Sequence, residues 1–448
     1  LNGWSTRGRG EVARALAGAF LAGGWDEPGM VARASGAFDR RPRWLVHVAR
    51  HALATYRERP ADRPRELAAV LDAWLADLAA AGRLPQQPPS VRHVPLFEPA
   101  MGRMRWPVPE IATIAELGSF LDLHIGELEW LADRRALERS VRDRRLRNYH
   151  YSWLARPSGA ARVIERPKRL LKETQRRLLH HLIDRIPPHD AAHGFRRGHS
   201  AITHARRHTG RRVVIRFDLE DFFASVAAGR VYGIFREAGY PEAVAHYLTA
   251  LATNVVPAEE WARVPRPADG RLIAVHARLG RRLATPHLPQ GAPTSPALAN
   301  LSCHRLDCRL SALAEAAGGS YSRYADDLVI SGDQWLTAYA GGIRSTVEEI
   351  VRAEGFRLNP RKSRLTTRAG RQQVTGLVVN EHPNVTRQEY DRLKAVIHDA
   401  VANGPQAANL AGVPDFRAHL TGRVAWVAAV NPNRGRRLGR QLAAVEWS

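Results

Sequence analysis

Three short runs of strand-forming residues that deliver carboxylates at their ends narrow the possibilities for this chain more than any other feature. Val213-Val-Ile-Arg-Phe217 is β-branched and apolar, reads as a buried strand, and presents Asp218 where that strand stops. Downstream, Tyr321-Ser-Arg-Tyr324 and Leu328-Val-Ile-Ser331 flank Ala325-Asp326-Asp327, so a tight hairpin carries two adjacent carboxylates. An Asp-Asp pair at a turn is by itself an ordinary solvated tip. The segment between the two acidic stretches changes its meaning. Leu288-Pro-Gln290-Gly291-Ala-Pro293-Thr-Ser-Pro296 is punctuated as a loop, and a helical run from Ala297 to Leu310 follows, with Pro296 suited to a first helical turn. Strand carboxylate, Gly-Pro loop with helix, then acidic hairpin, in that order, is far more specific than any one member.

Carboxylates from neighbouring strands are hard oxygen donors for Mg²⁺, and two such ions stabilise both the attacking and the leaving oxygen of a nucleotidyl transfer. On these residues the stretch from about Glu116 to Arg437 resembles a reverse transcriptase of the bacterial retron type. Phe217 to Phe223 resembles polymerase motif A, Gln290 to Pro296 motif B, Tyr324 to Asp327 motif C and Gly355 to Ser363 motif D. Val374-Thr375-Gly376 resembles the triplet that retron enzymes carry just after the palm. Where those enzymes have Asn-Ala-x-x-His, this chain reads His204-Ala205-Arg206-Arg207-His208, matching at Ala205 and His208 and departing at His204.

The resemblance implies an α+β right-hand polymerase fold. Periodicity and proline content predict an N-terminal helical extension with a Pro-rich linker over residues 1-110, and the resemblance implies fingers over 111-212, a palm with a fingers insert and an antiparallel sheet over 213-376, and a small helical thumb over 377-448. It implies Asp218, Asp326 and Asp327 as the catalytic groups, with two Mg²⁺ ions held by these and by the Leu219 carbonyl. Arg156 and Arg162, on a hairpin with Gly159 at its turn, would contact the nucleotide triphosphate. Phe223 would sit beneath the sugar and exclude a 2′-hydroxyl, although Phe222 is equally apolar and one of the two belongs to the core. Gln290 and Gly291 would line the nucleotide pocket, and Lys362 would contact or protonate the pyrophosphate leaving group. Arg196, Arg197, His204, His208, Val374, Thr375 and Gly376 are the expected RNA-binding positions. The implied activity is RNA-directed synthesis of DNA from deoxynucleoside triphosphates on part of a structured noncoding RNA, giving an RNA–DNA hybrid that acts with an effector protein in antiphage defence. A group II intron-like or diversity-generating reverse transcriptase, and a non-catalytic RNA-binding scaffold on a polymerase fold, are the competing readings.

Composition agrees with a nucleic-acid partner. The 448 residues, 44% of them hydrophobic, suffice for more than one core. A net charge of +23 attracts a polyanion, and only four of the basic residues are lysine. Arginine forks grip phosphate in pairs of hydrogen bonds, so binding should weaken steeply with salt. A GC-rich genome accounts for part of the arginine excess but not for the scarcity of Asp and Glu. Cys303 and Cys308 read as core thiols in a reducing cytoplasm. No apolar run approaches the ~18 residues that span a bilayer, so no membrane partner is expected. His193, His199, His204 and His208 lack carboxylate or thiol company and are not read as a metal site. Helical periodicity places Trp44, Leu45, Val48 and Ala49 on one face and Leu67, Val70, Leu71, Trp74 and Leu75 on another, and the Pro-rich stretch 85–109 reads as a linker or an extended strap.

Overall fold

Near the N-terminus the Ala- and Leu-rich sequence forms four helices, Thr6–Leu21, Glu27–Ala37, Leu45–Thr55 and Pro64–Ala80, in a computed structural model that describes residues 4–155 and 161–447. Ser5 and Asp26 cap the first two by accepting the backbone N–H of Gly8 and Gly29. Leu67, Leu71, Leu75 and Leu78 recur at helical spacing and are buried with Leu16, Phe20, Leu45 and Val48 in one core. Each such leucine contributes about 1.5–3 kcal/mol by leaving water.

The Pro-rich stretch is a strap over this bundle. Trp4 Nε1 donates to the Pro85 carbonyl (2.8 Å), Arg92 N to the Ala37 carbonyl (2.9 Å), and Gly18 lies so close to Pro95 that a Cβ would meet its carbonyl oxygen at 2.6 Å.

Contacts divide the chain into two compact units, Leu1–Ile186 with Val226–Ser295, and Pro187–Ser225 with Pro296–Ser448. In the first unit, buried Glu242 accepts the Arg65 and Glu66 backbone N–H groups at 2.8 and 3.0 Å, a carboxylate at the positive end of the Pro64–Ala80 helix. Strands β1 (Tyr149–Ala155) and β2 (Ala161–Pro167) pair antiparallel as the expected hairpin, and its turn, with Arg156 and Gly159, falls outside the described residues. A basic amphipathic helix, Arg169–His181, follows.

The second unit is built on a four-stranded antiparallel sheet of β3 (Val213–Asp218), β4 (Ser320–Tyr324), β5 (Asp327–Gly332) and β6 (Arg364–Thr367), in the order β4-β5-β3-β6. Central β3 and β5 are buried almost throughout, which is why their sequences run apolar instead of alternating. Val214 and Val329 join a core with Leu393, Ile397, Leu420, Val427 and Leu438 from the C-terminal helices Arg387–Ala402, Phe416–Val430 and Pro432–Ala443. A small hairpin, β7 (Gln373–Val374) and β8 (Leu377–Val378), has Thr375 and Gly376 as its loop, both at positive φ (48° and 84°), the signature of a type I′ turn.

The helical run after the Gly-Pro loop is two helices, Ser295–Ser302 and His304–Ala316, broken at Cys303. Cys303 is buried but Cys308 is exposed, which corrects the expectation of two core thiols: a five-residue step turns them to different sides. Among the described residues no helix is long and apolar enough to cross a membrane.

Candidate active site

Asp218 is the last residue of β3, and its partner across the sheet is Asp327, the first residue of β5. Asp327 also pairs with Tyr324, so Ala325 and Asp326 form a two-residue loop between β4 and β5. Ala325 is at φ 56°, in the left-handed region that glycine usually supplies, at a cost of about 1–2 kcal/mol. The Asp326 carbonyl accepts the Leu219 N–H at 2.9 Å, tying the loop to the residue after Asp218. Residues 357–359 close the other side: Glu220 N donates to the Arg357 carbonyl (2.8 Å) and Asn359 N to the Asp218 carbonyl (2.7 Å).

Three carboxylates therefore gather at one end of the sheet, and their electrostatics follow. Burial raises the proton affinity of Asp326, and the Asp218 and Asp327 charges add to it. Burial likewise raises that of Asp327, against the opposing pull of Arg216. Two cations answer the charge: Lys362 Nζ lies 2.7 Å from Asp218 Oδ1, and Arg216 Nη2 lies 3.3 Å from Asp327 Oδ1. Among the described residues no three carboxylate, imidazole or thiol groups are closed around one point as a finished metal site. The donors are nonetheless all oxygen, they repel one another, and two side-chain cations offset only part of their charge, which is the chemistry a hard divalent ion fits.

Phe223 is not on the strand, as its spacing from Asp218 suggested, but in a one-turn 3₁₀ segment, Phe223–Ser225, entered through Asp221 at φ 49°. The ambiguity with Phe222 resolves: Phe222 is 5% exposed and packs toward Phe356, whereas Phe223 is half-buried beside Phe195, with ring centroids 6.1 Å apart.

Other expected residues belong to the first unit. Arg162 sits on β2, half-buried, with its Nε buried and lacking a hydrogen-bond partner among the described residues. The Gln290 carbonyl accepts the Glu165 N–H from β2 at 2.9 Å. Gly291, at φ 135°, passes so close that an added Cβ would meet the Glu165 carbonyl at 2.7 Å. Beneath it Glu165, 1% exposed, bonds His287 Nε2 (2.9 Å) and Asn254 Nδ2 (2.8 Å). Burial is the largest single effect and works against a proton on His287, but the Glu165 charge, the hydrogen bond to Glu165 and the Thr285 carbonyl together outweigh it and raise the imidazole's proton affinity.

The expected RNA contacts divide by exposure. Arg197 and Gly376 are exposed, and Arg196 and Thr375 are partly so. His204, His208 and Val374 are fully buried and offer no surface to RNA, a correction to the sequence reading. His208 is fixed between Ser331 Oγ and Ser322 Oγ, each at 2.7 Å. His204 packs among His193 (5.6 Å), His208 (5.6 Å, edge to face) and Tyr324 (5.8 Å). The departure at His204 is thus a change of interior packing next to the acidic hairpin. Val374 is in the core, and the triplet's Thr-Gly part makes the turn.

Sequence reasoning passed over Arg216, although an arginine inside an otherwise apolar strand was a visible signal. It also passed over Asn300, Asp307 and Arg323, which meet only in the folded unit.

Residues 154–391 match the family described as reverse transcriptase (RNA-dependent DNA polymerase). The retron Mx65 reverse transcriptase of Myxococcus xanthus is 39% identical over 337 residues, 75% of this chain and 73% of that protein. The retron Mx162 reverse transcriptase of the same organism is 36% identical over 358 residues, 75% and 68% of the two chains. The retron Ec86 reverse transcriptase of Escherichia coli is 29% identical over 291 residues, 65% and 78%.

Proposed function

The chain belongs to the retron reverse transcriptases, a family of RNA-directed DNA polymerases, and from that premise we propose that it copies part of a structured noncoding RNA into DNA at the carboxylates that end β3 and begin β5. The pairing of Asp218 with Asp327, with Asp326 in the loop between, carries this reading. Enzymes of this family generally use divalent metal ions; here Asp218, Asp326, Asp327 and the Leu219 carbonyl would hold two Mg²⁺. When bound, these ions supply Lewis-acid stabilisation of the attacking and leaving oxygens.

The chain's own side chains do the rest. Lys362, on the face of Asp218, is placed to neutralise or protonate departing pyrophosphate once its carboxylate partner is otherwise engaged. Arg216 holds Asp327 from the neighbouring strand. The half-buried Phe223 ring serves as the barrier to a 2′-hydroxyl. Arg156, Arg162, Gln290 and Gly291 are assigned to the incoming deoxynucleotide, and Arg196, Arg197, Thr375 and Gly376 to RNA. In this reading 111-212 act as fingers, 213-376 as palm, 377-448 as thumb, and 1-110 as a helical extension. The RNA–DNA hybrid product works in the cytoplasm with an effector protein against phage.

Primer extension on an RNA template with Mg²⁺, comparing the parent with Asp326→Ala, tests the assignment. The variant should bind the RNA as the parent does and make no DNA. Equal product from both proteins would remove the carboxylates from the chemistry.

A further inference from the structure

Arg323, two residues before the acidic turn's first carboxylate flank, points into the protein and is 0% exposed. Each of its three guanidinium nitrogens is hydrogen-bonded. Nε and Nη2 donate to the two oxygens of Asp307 at 2.8 and 2.7 Å, and Nη1 donates to Asn300 Oδ1 at 2.8 Å and to the Ala325 carbonyl at 3.3 Å. Asp307 is also 0% exposed and accepts a further bond from the Tyr321 hydroxyl at 2.8 Å. Asn300, 1% exposed, donates its amide to the Gly194 carbonyl at 2.8 Å. The Gly194 backbone lies against the same loop, so near that a Cβ would meet Ala325 N at 2.6 Å. Backbone bonds complete the enclosure, from His193 N to the Arg323 carbonyl and from Arg323 N to the Ala191 carbonyl, both 2.8 Å.

We propose that Arg323, Asp307 and Asn300 form a clamp that holds Ala325 in its left-handed conformation, and that this sets the position of Asp326 and Asp327 against Asp218. The three are positioning residues: none touches the reacting atoms, and each acts through the loop. A buried ion pair is a poor source of stability, since desolvation offsets most of its attraction and apolar side chains of equal volume often do as well. What such a pair supplies is a single permitted geometry. The planar fork of arginine satisfies Asp307 from one edge and still has a donor for Ala325 and Asn300, which a lysine ammonium cannot reproduce. Without that donor the Ala325 carbonyl loses the arginine that opposes the loop's relaxation to negative φ, and the Asp326 carbonyl that accepts the Leu219 N–H moves with it. This inference rests on the proposed function for its catalytic consequence, but the clamp itself has a readout independent of turnover.

The test uses the whole chain with Arg323→Lys and Asn300→Ser, and Arg309→Ala as a comparison, since Arg309 lies on the same helix as Asp307 but pairs with Glu354. In metal-free protein, amide hydrogen exchange at Leu219 should accelerate in Arg323→Lys and Asn300→Ser and stay at the parental rate in Arg309→Ala. In primer extension the two clamp variants should lose kcat about 10–100-fold and require more Mg²⁺, with KM for deoxynucleotide and RNA affinity at parental values. Should Arg323→Lys fail to fold, Asn300→Ser reads the same two quantities. Parental exchange at Leu219 in a folded clamp variant, or a loss of activity that merely tracks melting temperature across all three variants, would overturn the clamp. A parent without polymerase activity would count against the proposed function, and exchange at Leu219 would still decide the clamp.

Discussion

Lys362 Nζ sits 2.7 Å from Asp218 Oδ1, so one of the chain's four lysines neutralises the carboxylate that ends the central strand. The ammonium is half exposed while the carboxylate is buried, which leaves the lysine free to swing to another anion. Lys362→Ala should lower kcat for single-nucleotide incorporation about 10²-fold with little change in template binding. Rapid-quench kinetics at saturating nucleotide measures it, and a parental rate would make the contact purely structural.

Asp326 is held among like charges in a partly buried loop. Asp326→Asn removes one of those charges, so the metal-free variant should melt at a higher temperature than the parent while polymerisation falls about 10³-fold or more. Thermal melts with and without Mg²⁺ give the companion result: the stabilisation that Mg²⁺ confers on the parent should shrink in the variant. A lower melting temperature without metal would contradict the repulsion argument.

Phe223 faces partly outward where Phe222 faces the core. Phe223→Ala should therefore admit ribonucleotides, whereas Phe222→Ala should chiefly destabilise, by about 3–5 kcal/mol. Competition between ribo- and deoxynucleoside triphosphates in primer extension distinguishes them. Unchanged sugar discrimination in Phe223→Ala would reduce that ring to packing.

Gly291 meets two requirements that alanine fails. Its φ of 135° is open to glycine alone, and a Cβ would sit 2.7 Å from the Glu165 carbonyl. Gly291→Ala should cost about 1–3 kcal/mol and disturb the bond between Glu165 N and the Gln290 carbonyl. Denaturant melts measure the first, and a raised KM for deoxynucleotide would report the second.

Acid should unfold the second unit early. Burial, aided by His199, holds His193 down to about 4, and burial, aided by His193, holds His204 to about 3. In the unfolded chain both titrate near 6.5. As pH falls below about 6.5 protons bind the unfolded chain first, so stability present at neutral pH is lost toward pH 4, at about 1.4 kcal/mol per pH unit for each histidine. His204→Asn should make the decline shallower in denaturation series between pH 7.5 and 5. An equally steep decline would place the acid sensitivity elsewhere.

The three clustered carboxylates and their strands were legible because local rules govern them: an apolar β-branched run ends where Asp218 stands, and a tight turn falls at Ala325-Asp326. The hairpin of β1 and β2 was readable on the same terms, whereas Thr375-Gly376 was read only as part of a motif and the structure shows it to be a turn. Relatedness to retron enzymes was legible from the order of such motifs and is borne out by relatives over three quarters of the chain. Direction of side chains was not legible. His204 and His208 look like nucleic-acid contacts in a basic stretch, and Val374 like part of a recognition triplet, yet all three are interior. Cys308 has the company of a helix and is exposed.

By itself, then, the sequence determined the strand that ends at Asp218, the hairpin that carries Asp326 and Asp327, and the polymerase family to which the chain belongs, because period and turn chemistry act over a few residues. Only the tertiary structure decided that Lys362 answers Asp218, that Phe223 rather than Phe222 stays open, and that Arg323, Asp307 and Asn300 close around Ala325. Those arrangements bring together residues separated in the chain, and around Arg323, Asp307 and Asn300 burial removes water as an alternative partner and so selects among them.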